Sequence, residues 1–388
     1  KAWMAQLSGL KSFQDARAAE AQGELAPPLS LAMANGYTPR HRVAFMTSCM
    51  EEQYFWTYCL PLFSSFREAF GPSGQGGGEA VQMDFTLYVA TAQVAEASLK
   101  HVEAAFGFVV FVVHEEDGGA QEGEEDGGAE KRYPRTFYQS LKLRQYMRLW
   151  TQRIFGHGAD FVVCMDSDML VVRPFGHAFE LLAQRRVDVA FTYYDGRREV
   201  PWGTAEELAR TREYGYVRLQ GGMLLMRNSF EALHWFAWWV SLTRSMLHDV
   251  KHGNPQGDRW AALYKEFKGP SQAALAFLLT QGQMEAMRSA EECCASVRTV
   301  RLEPLEPGGA EAEVRMLGLP ARYLNDAEST ADGSLPQSVL LVHLKGHWWR
   351  TVLPEGLEDV VAPTRSYEWN REAFELWRRH RAAAPRPA

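Results

Sequence analysis

The chain has 388 residues, 46% hydrophobic and 23% charged, with a formal net charge of −7. That composition belongs to a folded globular protein, large enough for two domains or one elaborated α/β domain, and it excludes a fibrous or wholly disordered chain. Eight acids and no base fall within 115–130, so the remainder carries a formal +1, which argues against nucleic acid as the main partner.

Residues 1–40 are Ala-rich and contain Pro27-Pro28 and Asn35-Gly36; they read as a partly helical, stem-like lead-in. No apolar run reaches the ~18–20 residues of a membrane span, and no signal peptide is visible. The first residue is Lys1, so membrane association is expected only through an anchor outside this chain. With such an anchor removed, a Golgi or secretory lumen is the expected compartment, and otherwise the cytoplasm. R-V-A-F-M-T-S at 42–48 predicts a strand ending in the hydroxyls of Thr47 and Ser48, and the aromatic run 51–70 predicts a helix that includes Tyr54. Gly71 to Gly78 predicts a loop, 83–91 and 106–113 predict strands with a helix between, and 115–130 predicts a disordered acidic insertion. The run 136–155 has apolar residues at helical spacing with bases such as Lys142 and Arg148 between them.

Next comes F-V-V-C-M-D-S-D-M-L-V-V-R-P-F at 161–175, a buried-strand pattern interrupted by Asp166 and Asp168. Strand and helix patterns alternate over 42–195, which predicts a mostly parallel sheet wrapped by helices. Beyond it lie a strand at 187–193, a polar loop at 195–215 that contains Asp195, and R-L-Q-G-G-M-L-L-M-R-N-S at 218–229. A Trp-rich helix at 230–246 carries Trp235, Trp238 and Trp239 at core spacing. A helix at 271–279 and V-H-L-K-G-H-W-W-R at 342–350, a strand breaking into a turn, follow. Five cysteines show no zinc-site spacing, and Cys49 and Cys164 read as buried thiols.

The acid pair poses the functional question, because two unpartnered buried carboxylates are costly. On a strand, residues two apart share a face, so Asp166 and Asp168 would point together at one ligand, with Ser167 turned away. Three readings meet that requirement: a divalent cation, a phosphorylated aspartate, or a strand end reaching water. The strand resembles the nucleophile strand of haloacid-dehalogenase-type phosphatases. However, ~160 residues precede it and no later apolar strand ends in paired acids.

The ordered set of motifs resembles the metal-dependent GT-A glycosyltransferases, in particular retaining enzymes of the glycogenin and bacterial galactosyltransferase type and related galactosyl- and xylosyltransferases. It consists of the D-x-D strand, Q-G-G-M-L-L-M-R-N-S-F at 220–230, P-S-Q-A-A-L-A-F-L-L at 270–279 and V-H-L-K-G-H-W-W at 342–349, within roughly 42–350. The resemblance implies an α/β GT-A fold over 41–352, between the 1–40 lead-in and a helical tail at 353–388. It implies a nucleotide diphosphate donor, a UDP-sugar, with Mn²⁺ or Mg²⁺, and transfer to a glycan, protein or small-molecule acceptor. Asp168 and His343 would be metal ligands, with Asp166 serving the metal and the ribose. Thr47, Ser48 and Tyr54 would meet the base and ribose, while Lys142, Arg148, Gln220 and Gly221 would contact the donor. Lys345, Gly346 and Arg350 would contact phosphate, and Gln272 would serve the reacting sugar; Asp195, in the polar loop after a strand, is a candidate catalytic-site contact for donor sugar or acceptor. Ser271 and Trp349 depart from the family pattern, which leaves a degenerate sugar- or nucleotide-binding scaffold as an alternative.

Overall fold

The computed structural model describes residues 41–71, 83–113, 135–194, 217–267, 269–305, 309, 311–324, 335, 339–344 and 371–383. The expected lead-in, the loop after Gly71 and the acidic insertion lie outside them. Among the described residues ten strands occur: β1 His41–Glu51, β2 Met83–Gln93, β3 Val109–Val113, β4 Phe161–Met165, β5 Met169–Val171, β6 Val189–Tyr194, β7 Arg218–Arg227, β8 Arg298–Leu302, β9 Ala312–Pro320 and β10 Leu341–His343. Eight of them form one sheet in the order β3-β2-β1-β4-β7-β6-β9-β8. β3, β2, β1 and β4 run parallel, β7 runs against β4 and β6, β9 runs with β6, and β8 runs against β9. The chain thus has the expected α/β class, a mostly parallel sheet flanked by helices.

β1 shows why the sheet is central. Val43 to Thr47 are all buried, as a parallel strand covered on both faces requires. Val43 and Phe45 face the layer built by helices Leu60–Phe70, Glu96–Phe106 and His177–Gln184. Ala44 and Met46 face the opposite layer, where helices Arg135–Leu149, Phe230–His252, Gly257–Phe267 and Pro270–Thr280 pack. The Ser229 hydroxyl accepts from Ala232 N–H to start the long helix, and Gly253 at φ 61° ends it. Trp235 and Trp239 stack at 5.7 Å inside that layer, the core role their spacing predicts. Among the described residues no helix is long and apolar enough to cross a membrane.

Three features differ from the expectation. The run 161–175 is not one strand: β4 stops at Met165, Asp166 to Asp168 turn, and β5 pairs antiparallel with β10 in a separate two-stranded sheet. Continuing the ladder would seal both carboxylates inside it, whereas the turn carries them to the rim. β8 and β9 form an edge that the sequence reading omits, although their alternating burial matches a half-exposed strand pair. Cys49 is not a thiol: it is bonded to Cys59, and Cys293 is bonded to Cys294, while Cys164 stays a buried thiol. At the other edge, Phe111 of β3 donates its N–H to Glu103 Oε1 at 2.8 Å, beside Val113, which is 57% exposed.

The helix Arg371–Ala383 falls within the predicted tail and docks on Leu60–Phe70, with Arg379 Nη2 2.8 Å from Glu68 Oε1 and His380 Nδ1 3.1 Å from Ser64 Oγ. His380 is 1% exposed. Burial pulls its imidazole down from 6.5 to about 4, against the opposing pull of Glu68. As pH falls the unfolded chain takes this proton first, so the stability it governs is complete above about 6.5 and lost toward pH 4. The expected loss is roughly 3 kcal/mol across that window. Melting curves at pH 7.5 and 4.5 should show a smaller acid loss in His380→Gln than in the unaltered chain; equal losses would refute this assignment.

Candidate active site

β1 has β2 on one side and β4 on the other, so the crevice beyond the carboxyl ends of β1 and β4 is where an open α/β sheet takes ligands. Asp166 directly follows β4, and its N–H donates to the Gly222 carbonyl at 2.8 Å. Leu344 N–H donates to the Asp168 carbonyl at 2.8 Å, which ties the turn to the end of β10. His343, the last residue of β10 and 6% exposed, sits opposite Met169. Its Nε2 lies 3.1 Å from Asp168 Oδ1 and 3.4 Å from Asp166 Oδ2. Lys142 reaches in from the preceding helix and binds Asp166 Oδ1, leaving Oδ2 toward the imidazole. Ser167 turns inward: its hydroxyl donates to the Ser48 carbonyl at 3.0 Å. Convergence of the two acids is therefore the work of a pinned turn rather than of strand alternation.

Charge follows from this packing. Burial pulls Lys142 down, but Asp166, with Tyr146 and Asp168 adding to it, outweighs that pull and holds the ammonium above its ordinary value. Burial likewise pushes Asp168 up, and His343 followed by Lys142 pulls it below the usual carboxylate range. Tyr54 and Tyr58 are raised, first by burial and then by Asp168, so both phenols stay neutral. Tyr146 donates its hydroxyl to the Met165 carbonyl at 2.8 Å and supports the end of β4 from below.

One oxygen from each acid and one imidazole nitrogen all lie within 4.8 Å of one another, the spacing of ligands around a single cation. Gly222 completes the cradle. A Cβ there would stand 2.7 Å from His343 Cε1 and 2.9 Å from Asp166 Oδ2, so no side chain fits between β7 and the ligand atoms. Two carboxylates with one imidazole suit Mn²⁺ or Mg²⁺ better than a thiolate-seeking metal. The residues present fit such an ion.

The other expected site residues divide into three groups. Ser48 joins the site through its carbonyl, and Tyr54 lies close enough that, beyond burial, the Asp168 carboxylate raises its phenol. The Tyr54 ring packs on Tyr58 with centroids 4.7 Å apart. Thr47, one residue earlier, is fully buried, and its hydroxyl has no hydrogen-bond partner among the described residues. Gln220 and Gly221 sit where the β6–β7 register shifts, with the Gln220 carbonyl accepting from Thr192 Oγ1 at 3.2 Å. A Cβ on Gly221 would meet Gln272 Cγ at 3.5 Å, so this glycine borders Gln272 and the next one borders the acids. Arg148 lies six residues beyond Lys142, about 240° around the helix, so helical geometry does not bring the two to the same carboxylate. Asp195, Lys345, Gly346 and Arg350 lie outside the described residues. Gly222, Ser167 and Tyr146 are the residues the sequence reading leaves out; for Gly222 the doubled glycine is the available signal.

No family model and no curated protein matches this chain. Solved structures do. A structure of an active-site mutant of LgtC shares 12% identity at a TM-score of 0.44, covering 89% of this chain and 97% of that one. The galactosyltransferase LgtC in complex with donor and acceptor sugar analogs shares 13% identity at a TM-score of 0.44, with the same coverage. The apo structure of the bifunctional glycosyltransferase WbbM shares 12% identity at a TM-score of 0.40, covering 79% of this chain and 46% of that one.

Proposed function

We propose that this chain is a glycosyltransferase that moves a sugar from a UDP-linked donor to an acceptor, using a divalent cation held by Asp166, Asp168 and His343. The observation that carries the reading is the gathering of three ligand atoms within 4.8 Å, from motifs 175 residues apart, at the ligand-binding rim of the sheet. Departure of a nucleoside diphosphate concentrates negative charge on the leaving oxygens, and a bound Mn²⁺ or Mg²⁺ supplies Lewis-acid stabilisation there.

The chain's own groups do the remaining work. Lys142 fixes the orientation of Asp166 and adds a permanent positive charge beside the diphosphate position. Gly221 and Gly222 let the donor lie against backbone, with Gln272 at the far side of the pair. An amide there can support positive charge developing at the anomeric carbon, and the departing phosphate can take the acceptor proton, which favours retention. Ser48 and Tyr54 are assigned to the base and ribose end, whereas Thr47, fully buried, has no surface to offer the donor. Lys345, Gly346 and Arg350 are assigned to phosphate, Arg148 to the donor, and Asp195 to donor sugar or acceptor.

Thermal melting with UDP tests the reading. Saturating UDP at 100 times its Kd should stabilise the chain by about 2.7 kcal/mol with Mn²⁺ present and far less without it. A shift of the same size with and without metal would sink the metal-dependent donor site. UDP release from a panel of UDP-sugars then separates a working transferase from a binding scaffold. Phosphomonoesterase activity with no UDP binding would instead favour an aspartyl-phosphate enzyme.

A further inference from the structure

The helix Glu52–Phe70 contains a local irregularity with a clear cause. An α-helical ladder would bring the N–H of residue 61 to the Thr57 carbonyl, but Pro61 has no N–H and its ring crowds that carbonyl. The helix widens into a π-type register over Phe55–Cys59, closed by Leu60 N–H to the Phe55 carbonyl. Trp377 Nε1 then donates to the Thr57 carbonyl at 2.9 Å. An indole 320 residues away in the chain thus supplies the donor that Pro61 removes. Trp377 is 4% exposed, so the contact is sealed from water.

The same indole belongs to the apolar cluster around the strand pair that carries His343. Trp377 and Ala373 share a buried cluster with Leu170, Val342 and Leu344. Leu170 pairs with Val342 across β5 and β10, and Val342 and Leu344 flank His343. Leu344 also donates to the Asp168 carbonyl. On the other wall, the widened segment is entered by Tyr54, which lies close enough to Asp168 and Asp166 that, beyond burial, both carboxylates raise its phenol. One side chain therefore touches the element behind Tyr54 and the cluster behind His343.

We infer that Trp377 is a positioning residue for the metal site, bracing the π-type segment and β10 so that Asp166, Asp168 and His343 hold their spacing. This rests on the metal reading above. It gives the C-terminal helix a role in cation affinity that its distance along the chain does not announce.

Mn²⁺ titration of the full chain, followed by the EPR signal of free Mn²⁺, tests the brace, with circular dichroism melts run in parallel. Trp377→Ala should weaken Mn²⁺ binding about tenfold, as loss of an outer support does. Trp377→Phe, which keeps most packing but not the donor, should weaken it about threefold. Arg379→Ala, which breaks an exposed ion pair of the same helix, should stay within about twofold. Lower melting points in the Trp377 variants with Mn²⁺ affinity unchanged would overturn the brace and leave the tryptophan a structural residue. If Trp377→Ala does not fold, Trp377→Phe decides, unchanged affinity again overturning the inference. Absence of Mn²⁺ binding by the unaltered chain would overturn the metal site itself, and the brace with it, a result readily told apart from equal binding across the variants.

Discussion

Gly222→Ala should weaken Mn²⁺ binding by at least about 100-fold while the chain still folds, a loss at the upper end of what misplaced ligands cause. The added methyl would sit 2.7 Å from His343 Cε1 and 2.9 Å from both His343 Nδ1 and Asp166 Oδ2, closer than carbon approaches such atoms. β7 cannot retreat to make room. It is laddered to β4 from Phe161↔Arg227 to Met165↔Met223, and the Gly222 carbonyl holds Asp166 N–H at 2.8 Å. The imidazole or the carboxylate must move instead, and both belong to the proposed ligand set. Mn²⁺ titration with a parallel melt reads the outcome; an affinity within threefold of the unaltered chain would show that the site has slack the structure does not reveal.

Asp168→Asn should lower kcat/KM for sugar transfer by at least about 10³, roughly 4 kcal/mol of transition-state stabilisation. Asparagine matches aspartate in shape, so the turn and the Leu344 N–H to Asp168 carbonyl bond survive. What disappears is one charged oxygen of a set of three ligand atoms, the one 3.1 Å from His343 Nε2. The UDP melting shift should lose its Mn²⁺ dependence, and the metal-free melting point should move by only a few degrees. Transfer within tenfold of the unaltered rate would remove Asp168 from the mechanism.

The sequence carries the acid pair plainly, because carboxylates inside an apolar run present a burial problem that needs a partner, whereas His343 enters only through the resemblance of V-H-L-K-G-H-W-W. It carries the α/β layering over 42–195 as well, since strand and helix periods alternate there. It does not carry the stop at Met165, because a strand of five and a strand of ten look alike until neighbouring strands set the ladder length. Which of the two glycines borders the acids is not legible either: Gly221 borders Gln272 and Gly222 borders His343 and Asp166, beside a register shift opposite Phe191 and Thr192. The Cys49–Cys59 bond spans ten residues with no spacing signature. The Trp377 contact with Thr57 is beyond local reading altogether, although Pro61 marks in advance which carbonyl will need a donor.

Glu103 also has a consequence for how copies of this chain meet one another. β3 is a short, Val-rich edge with Val110 and Val113 open to solvent, the kind of rim onto which a stray strand adds. Its outward Phe111 N–H is already taken by the Glu103 carboxylate. An incoming strand must displace a charged acceptor and leave it buried beside valines before gaining one ladder bond, and that exchange is unfavourable. A single acid from the preceding helix thus makes the β3 rim a poor template for strand addition.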